Sequence, residues 1–401
     1  MTAPVALLGW SLHALEALQE LGRPFVVVAP EPYRSLAVEH GLEFVGWDFE
    51  RRNEHSHELV EPLRKLGVST AVPLYEETVT WAGAVNAVLW EQPRLFNQAL
   101  LFRDKAMMKR KAQISGIRVG VFEEAECHED VLKFLRRVNQ ALLKLEGDTN
   151  DPVHLKPFAS AGCVGHRLIR TPADVHGIPL TEFPCLLESH LDGQEFSCEA
   201  FIHDGKIRFL NITEYVHLGH SNFVPASERL ESQRAKIRGA VEELINAFDV
   251  RYGMIHPEWF ITSDGKLNFG EVAARVPGGH IFELIQRAYG FNPFAGFALC
   301  CDPNSTEAEL EAFFPKEDQH QTYAGSLMVY PHGKVASHLD VPKELEEDPY
   351  FESHNLFVPA SPKVAARVGF GNHYGTIFFA GDDPRRMEDL MWQWERHDFY
   401  A

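Results

Sequence analysis

The sequence has no surplus of positive charge. Its 57 acidic residues outnumber 38 lysines and arginines, for a formal net charge of -19. A general binder of nucleic acid or of membrane surfaces needs a basic footprint, so both classes are excluded for the chain as a whole, though a local basic pocket is not. No apolar run reaches the roughly 18 residues that span a bilayer. The opening MTAPVALLGW lacks a basic leading region and a small-residue cleavage site, and is not read as a signal peptide. The six cysteines form no CxxC pair, and reduced, mostly buried thiols in a cytoplasmic protein are expected. The twenty histidines are scattered. His55-Ser-His57 and His217-Leu-Gly-His220 are the close pairs, and neither spacing by itself makes a zinc site. The GxGxxG fingerprint is missing, with only Gly9 at the first turn, so a dinucleotide cofactor is unsupported. Internal repeats, low-complexity segments and a disordered tail are missing too.

What is present reads as strands and helices in alternation. PVALLGW (4–10), SLHALEALQEL (11–21, with Ser11 as cap) and PFVVVAP (24–30) make a strand–helix–strand unit. ELVEPLRKLG, STAVPLY and TVTWAGAVNAVLW continue it to about residue 98, which predicts a parallel sheet with helices on its faces. A basic helix follows over 103–116 (RDKAMMKRKAQISG), then VGVFEEA as a strand, a helix over 128–145 and a turn-rich break over 146–152. Strands are expected at 184–202 and 205–215, a loop over 216–228, a helix over 232–249, and helices in GHIFELIQRAYG and FNPFAGFALCCD. The last eighty residues read as strands AGSLMVYPHG, KVAARVGFG and YGTIFFAGD before a final helix, DPRRMEDLMWQWERH.

Chemistry concentrates in two stretches. In GMIHPEWFITSDGKLNFGEVAARVPGGH (253–280), two strands meet at Asp264-Gly265, a pair suited to a two-residue hairpin turn. With Ser263 opposite Lys266, counting outward sets Glu258 against Glu271 and His256 against Ala273, with Arg275 further along the same face. Opposed carboxylates destabilise a hairpin unless a cation lies between them, and a hard divalent ion fits. Pro257 implies an edge or a bulge, and a bulge shifts the register by one. In VHLKPFASAGCVGHRLI (153–169), a strand delivers Lys156 into a small-residue loop containing Ser160, Gly162 and Gly165. Such a loop can cradle phosphate oxygens with its N–H groups, or it can be a plain hairpin connection. It is not a P-loop, because the lysine precedes the glycines.

Lys105, Lys156, the run Glu188 to Glu195 (ESHLDGQE), and Glu258 with Glu271 and Arg275 stand in an order that resembles the ATP-grasp superfamily, from about residue 100 to about 300. The resemblance implies an α/β and α+β multidomain chain. Its parts would be an N-terminal parallel-sheet domain (1–102), a linker helix and mobile lid subdomain (103–190), and a C-terminal catalytic domain with a mixed sheet and a β-rich extension (191–401). It implies ATP held by Lys105 and Lys156, with Ser160 to Gly165 closing over the phosphates. Glu188 would end the adenine strand, the backbone of Ser189 to Leu191 would read the base, and Glu195 would take the ribose hydroxyls. Glu258 and Glu271 would hold Mg2+, with Mn2+ as the alternative ion, and Arg275 would stabilise an acyl phosphate. His256 and His220 are candidates to assist the acceptor, and Gly278 and Gly279 to bind a carboxylate at a helix start. Where many members carry an asparagine after the second metal acid, this chain has Ala273, as in the amino-acid (dipeptide) ligase subgroup that EVAARVPGGHI also resembles.

The implied reaction phosphorylates a small carboxylate, an amino acid being the natural class, and joins it to an amine with release of ADP and phosphate. A carrier thiol as acceptor, bicarbonate as the acid in a carboxylase of the purine or biotin type, and a non-catalytic ATP-binding protein are the alternatives. The expected partners are small molecules and a second copy of the chain in a homodimer, with no nucleic acid or membrane.

Overall fold

The computed structural model describes residues 3–52, 55–146, 151–333 and 335–400. Of the turn-rich break, residues 147–150 lie outside the described residues. The first strand–helix units build a parallel sheet of β1 (Val5–Leu8), β2 (Phe25–Ala29), β3 (Phe44–Gly46) and β4 (Thr70–Pro73), in the order β3-β2-β1-β4. Val5 of β1 partners Phe25 on one side and Thr70 on the other. Strands covered on both faces read as unbroken apolar runs, which is why VALL and VVVA do not alternate. Helix Leu12–Glu20 starts at Ser11, whose hydroxyl accepts from the Ala14 N–H at 3.4 Å.

A second, antiparallel sheet contains β5 (Phe122–Ala125), β6 (Val153–Lys156), β7 (Arg167–Ile169) and β8 (Cys185–Ser189), ordered β5-β8-β6-β7. Alternation divides its residues. Val153, Leu155, Ile169, Cys185 and Leu187 face a separate core with Val131, Phe134 and Leu135 of helix His128–Glu146. Lys156, His154 and Glu188 take the other face, with His154 registered against Glu188.

The third sheet has eight strands among the described residues: β9 (Gly193–His203), β10 (Lys206–His217), β11 (Ser221–Val224), β12 (Tyr252–Thr262), β13 (Leu267–Ala273), β14 (Tyr323–Met328), β15 (Phe351–His354) and β16 (Thr376–Gly381). Their order is β13-β12-β9-β10-β11-β14-β16-β15, and the pairs are antiparallel. One face packs Phe196, Ile212 and Trp259 against helices Lys105–Ile114 and Arg234–Phe248. On the other, Phe201, Phe209 and Met254 share a core with helices Ile281–Tyr289 and Pro293–Cys301 and with Val5, Val27 and Val72 of the parallel sheet. That second face also carries Glu195, Ser197 and Glu199 of β9 and His256 and Glu258 of β12, because each lies an even number of residues from Phe201 or Met254. No described helix is long and apolar enough to cross a membrane.

The hairpin β12–β13 departs from the simplest count twice. Thr262 donates its N–H to Lys266 O at 3.0 Å and Gly265 donates to Thr262 O at 2.7 Å, so the loop has three residues and Ser263 does not pair with Lys266. Pairs near the turn are offset by one, with Ile261 facing Leu267 and Trp259 facing Phe269. The ladder then shifts between Trp259 and Pro257. Glu258 stands against both Gly270 and Glu271, a bulge beside a proline that has no N–H to give. The two offsets cancel, and His256 faces Ala273 as counted. A side chain at 270 would not fit, since a Cβ there would lie 2.9 Å from Glu258 O.

The stretch 363–371 is not a strand. Gly369 (φ +54°) and Asn372 (φ +61°) adopt left-handed backbone, which breaks extended structure. β15, in a Phe-Glu-Ser-His run with too little alternation to be legible, pairs with β16 instead.

Candidate active site

The three sheets meet around a cleft of about 830 Å³. Asp104 opens helix Lys105–Ile114 by accepting from the Met107 N–H at 2.9 Å. Lys105 and Lys109, four residues apart and so on one helix face, are both buried. Lys105 Nζ meets Glu271 Oε2 at 2.7 Å. Lys109 pairs with one oxygen of Glu188, and Lys156 Nζ takes the other at 2.7 Å. Burial works to raise the Glu188 pKa, but the two ammonium groups outweigh it and hold the carboxyl far below its usual range. For Lys156, burial is overcome by Glu188 and then Glu271, and its pKa rises; for Lys109 burial prevails and its pKa falls. The Lys109 contribution was not anticipated, although its i+4 spacing from Lys105 was visible.

The acids expected to hold metal lie across the bulge. Lys105 and Lys156 outweigh burial at Glu271 and bring it down to about 2. Glu195, facing Phe260 on the next strand, goes the other way: burial and then the Glu258 carboxylate push it up to about 8. A face on which one carboxyl holds its proton because of its neighbours is short of positive charge. The oxygen donors of Glu258 and Glu271 suit a hard divalent cation, so the residues fit such an ion.

His256 is buried between two acids, its Nδ1 2.9 Å from Glu199 Oε1 and its Nε2 3.7 Å from Glu258 Oε1. Burial would strip its proton, but hydrogen bonding to Glu199 and Glu258 raises the pKa to about 9. The imidazole is therefore a cation at neutral pH and not the free base that would assist an acceptor. Glu199, unforeseen, is fully buried and also accepts from Ser197 Oγ at 3.0 Å, Asn211 Nδ2 at 2.6 Å and Thr213 Oγ1 at 2.7 Å.

Arg275 lines the cleft with Nε 2.8 Å from Glu76 Oε2, while Arg103 takes the other Glu76 oxygen at 2.5 Å. Glu76 follows β4, so this half-buried cluster joins the parallel sheet to the site. Ser160 and Gly162 line the cleft, as do Ser189, Leu191, Gly278 and Gly279. Gly165 (φ +74°) turns the chain past Pro157 behind the loop. The Ser189 N–H is already donated to Val121 O at 2.8 Å. Gly279 O accepts from Asn222 Nδ2 at 3.2 Å and Ser326 Oγ at 2.9 Å at the start of helix Ile281–Tyr289.

His220 does not face the cleft. Its Nε2 lies 2.6 Å from Arg367 Nη1 and its Nδ1 3.5 Å from Glu395 Oε1, which also meets His217 Nδ1 at 2.5 Å. A guanidinium only donates, so the His220 Nε2 lone pair is engaged and Nδ1 carries the proton. His217, His220 and Glu395 lie close enough for one metal, but that hydrogen bonding uses the His220 lone pair an ion would need.

Lysines from a capped helix and from β6 are set over paired acids on an antiparallel sheet. Residues 171–283 match the model of the ATP-grasp domain. An L-arginine-specific L-amino acid ligase from Bacillus subtilis is 24% identical over 234 residues, 54% of this chain and 54% of that protein, so the match spans about half the relative's length. An L-amino acid ligase from Bacillus licheniformis superposes with a TM-score of 0.75 at 17% identity, covering 98% of this chain and 96% of that one. N5-carboxyaminoimidazole ribonucleotide synthetase from Thermotoga maritima gives 0.69 at 14% identity, covering 98% of both chains. At these identities the structures establish the fold: ATP-grasp, with an N-terminal parallel sheet and a large antiparallel sheet.

Proposed function

We propose that the chain is an ATP-dependent, ADP-forming ligase that activates a small carboxylate, an amino acid in the first instance, as an acyl phosphate and joins it to an amine. The observation that carries this is the cleft itself: Lys105, Lys109 and Lys156 gathered opposite Glu258 and Glu271, with Arg275 at the same cleft. Lys105 and Lys156 bind the nucleotide phosphates, where fixed positive charge costs no reorganisation as negative charge develops. Lys109 and Glu188 hold Lys156 in place. The glycine loop from Ser160 shields the reacting phosphate from water. A divalent ion at Glu258 and Glu271, Mg2+ or Mn2+, offsets phosphate charge during transfer when bound. His256 acts as a charged strut that orients Glu258, and Glu76 aims Arg275 toward the acyl phosphate. The amine enters neutral and attacks the acyl carbon, the carbon–oxygen bond to phosphate breaks, and phosphate leaves as the nitrogen gives up a proton. Gly278 and Gly279 offer N–H groups to a substrate carboxylate at a helix start.

A carboxylating reaction on bicarbonate is the second reading, favoured by the fold shared with the carboxyaminoimidazole ribonucleotide synthetases. A phosphate-release screen with Mg2+-ATP separates the two. Release that needs amino acids, singly or in pairs, supports ligation; release that needs bicarbonate supports carboxylation; AMP as product defeats both. Glu271→Gln should cut phosphate release at least a hundredfold while the far-ultraviolet circular dichroism stays unchanged.

A further inference from the structure

Three histidines on the lid side of the cleft form a hydrogen-bonded row that the phosphate chemistry does not use. His154 lies on β6, His166 just before β7 and His190 just after β8, and all three line the cleft. His154 Nδ1 is 2.9 Å from His166 Nε2, and His154 Nε2 is 3.0 Å from His190 Nδ1. The rings lie edge to edge in nearly one plane, with centroids 5.1 and 5.3 Å apart and planes within 13° and 6°. His154 is pushed down to about 3 by burial and then by Lys156, and His166 is lowered by the same two causes, so both are neutral at physiological pH. The two nitrogens of His154 point to different neighbours, so the row does not converge on a metal.

Counting protons gives the row its character. With no added proton on the row, its three imidazoles carry three N–H groups, and the two internal hydrogen bonds consume two of them. The third sits at one free end, either His190 Nε2 or His166 Nδ1. If His190 Nε2 is bare, every bond runs from His190 through His154 to His166, and His166 Nδ1 carries the proton. If His190 Nε2 is protonated, every bond runs the other way. Both polarities keep each internal bond, so the His190 end can present an acceptor or a donor without leaving a partner unsatisfied. A lone buried amide or hydroxyl held by one fixed partner has no such choice.

We propose that this row makes the base end of the nucleotide site reversible, so that the protein binds 6-amino and 6-oxo purine triphosphates with similar affinity. The inference rests on the nucleotide reading given above, in which the base lies beside Ser189 to Leu191 and therefore beside His190. A 6-amino group donates and a 6-oxo group accepts at the same position of the ring. One polarity of the row meets the first, and the opposite polarity meets the second. A site with fixed groups instead rejects the mismatched base strongly, because its polar atoms are left unpaired.

The test is displacement of a fluorescent trinitrophenyl-ATP probe from the full chain with Mg2+ present, by ATP, GTP and ITP in turn. The expected result is dissociation constants within about tenfold of one another for the wild type, a difference of about 1.4 kcal/mol or less. His190→Phe keeps an aromatic ring and removes the reversible end, and His154→Phe severs the row. Each should weaken ATP, GTP and ITP by similar factors of at least threefold, because the row's end serves both kinds of base, and a dissociation constant does not move with a general loss of folded protein. ATP binding with GTP and ITP weaker by more than tenfold in the wild type overturns the proposal and leaves the nucleotide reading standing. Unchanged affinity for all three in both variants, or a loss confined to one kind of base, overturns it as well. Failure of every nucleotide to displace the probe overturns the nucleotide reading itself.

Discussion

Glu195 shows how the site's charge can be read through a single residue. Its carboxyl is pushed up to about 8 by burial and by Glu258, against an ordinary value near 4.3 in an unfolded chain. Between those two values the folded protein holds a proton that the unfolded chain has released, so stability falls as pH rises through that window. Below it both states are protonated and above it both are ionised, and the slope from this group vanishes. On the reading proposed above, a divalent ion at the neighbouring acids would supply the missing positive charge. The melting temperature without divalent ions should therefore decline from about pH 5 to pH 8, and millimolar Mg2+ should flatten the decline. Glu195→Gln should flatten it without Mg2+. A slope that neither change alters would remove Glu195 as its source.

At the scale of elements, the segment 367–373 is the least expected part of the site. It passes over the glycine loop, where Phe370 N–H donates to Gly162 O at 2.8 Å. A Cβ at Gly369 would come 2.0 Å from Gly162 O, and φ there is +54°. Arg367 lies 3.9 Å over the Tyr330 ring and anchors the segment near His220. Gly369→Ala should lift this strap from the loop at a cost of about 1–3 kcal/mol. Limited proteolysis within 158–166 should speed up, and KM for ATP should rise more than kcat falls. If cleavage of that loop is unchanged, the strap does not restrain it.

Nothing in KVAARVGFG announces this contact, because it is made with a loop two hundred residues away and its backbone turns on two positive-φ residues. The hairpin was more legible. Apolar alternation and Asp264-Gly265 were enough to bring Glu258 and Glu271 together, but only because a three-residue loop and a bulge at Pro257 cancel. Lys105 and Lys156 could be singled out from strand and cap signals. Lys109 looked like one more lysine on a solvated helix, since its burial depends on Phe269 and Glu188 arriving from other sheets. His220 was misplaced for the same reason: its partners, Arg367 and Glu395, are distant in sequence.

For the whole molecule, the division of cores sets what can move. The parallel sheet and the large sheet share one core, in which Val27 and Val72 meet Phe282, Phe297 and Phe201. The sheet of β5 to β8, the proposed lid, instead buries Phe134, Leu155 and Leu187 in a core of its own. Elements sharing a core lose it together, whereas a sheet with a private core can open locally at lower free energy. Removing a fully buried phenylalanine costs about 3–5 kcal/mol at either place, so the two substitutions differ in reach and not in size. Phe282→Ala should lower amide protection in β1, β4, β9 and β12 alike. Phe134→Ala should lower it in β5 to β8 and leave β1 and β9 at wild-type levels. Hydrogen exchange read by mass spectrometry distinguishes these patterns. Adding Mg2+-ATP to the Phe134→Ala protein should restore protection in β5 to β8, because a nucleotide held, as proposed above, by Lys156 of β6 and by Lys105 of the helix packed on the large sheet would tie the two cores into one unit. Protection that returns without nucleotide dependence, or spreads equally over all three sheets, would show that the lid is not an independent body.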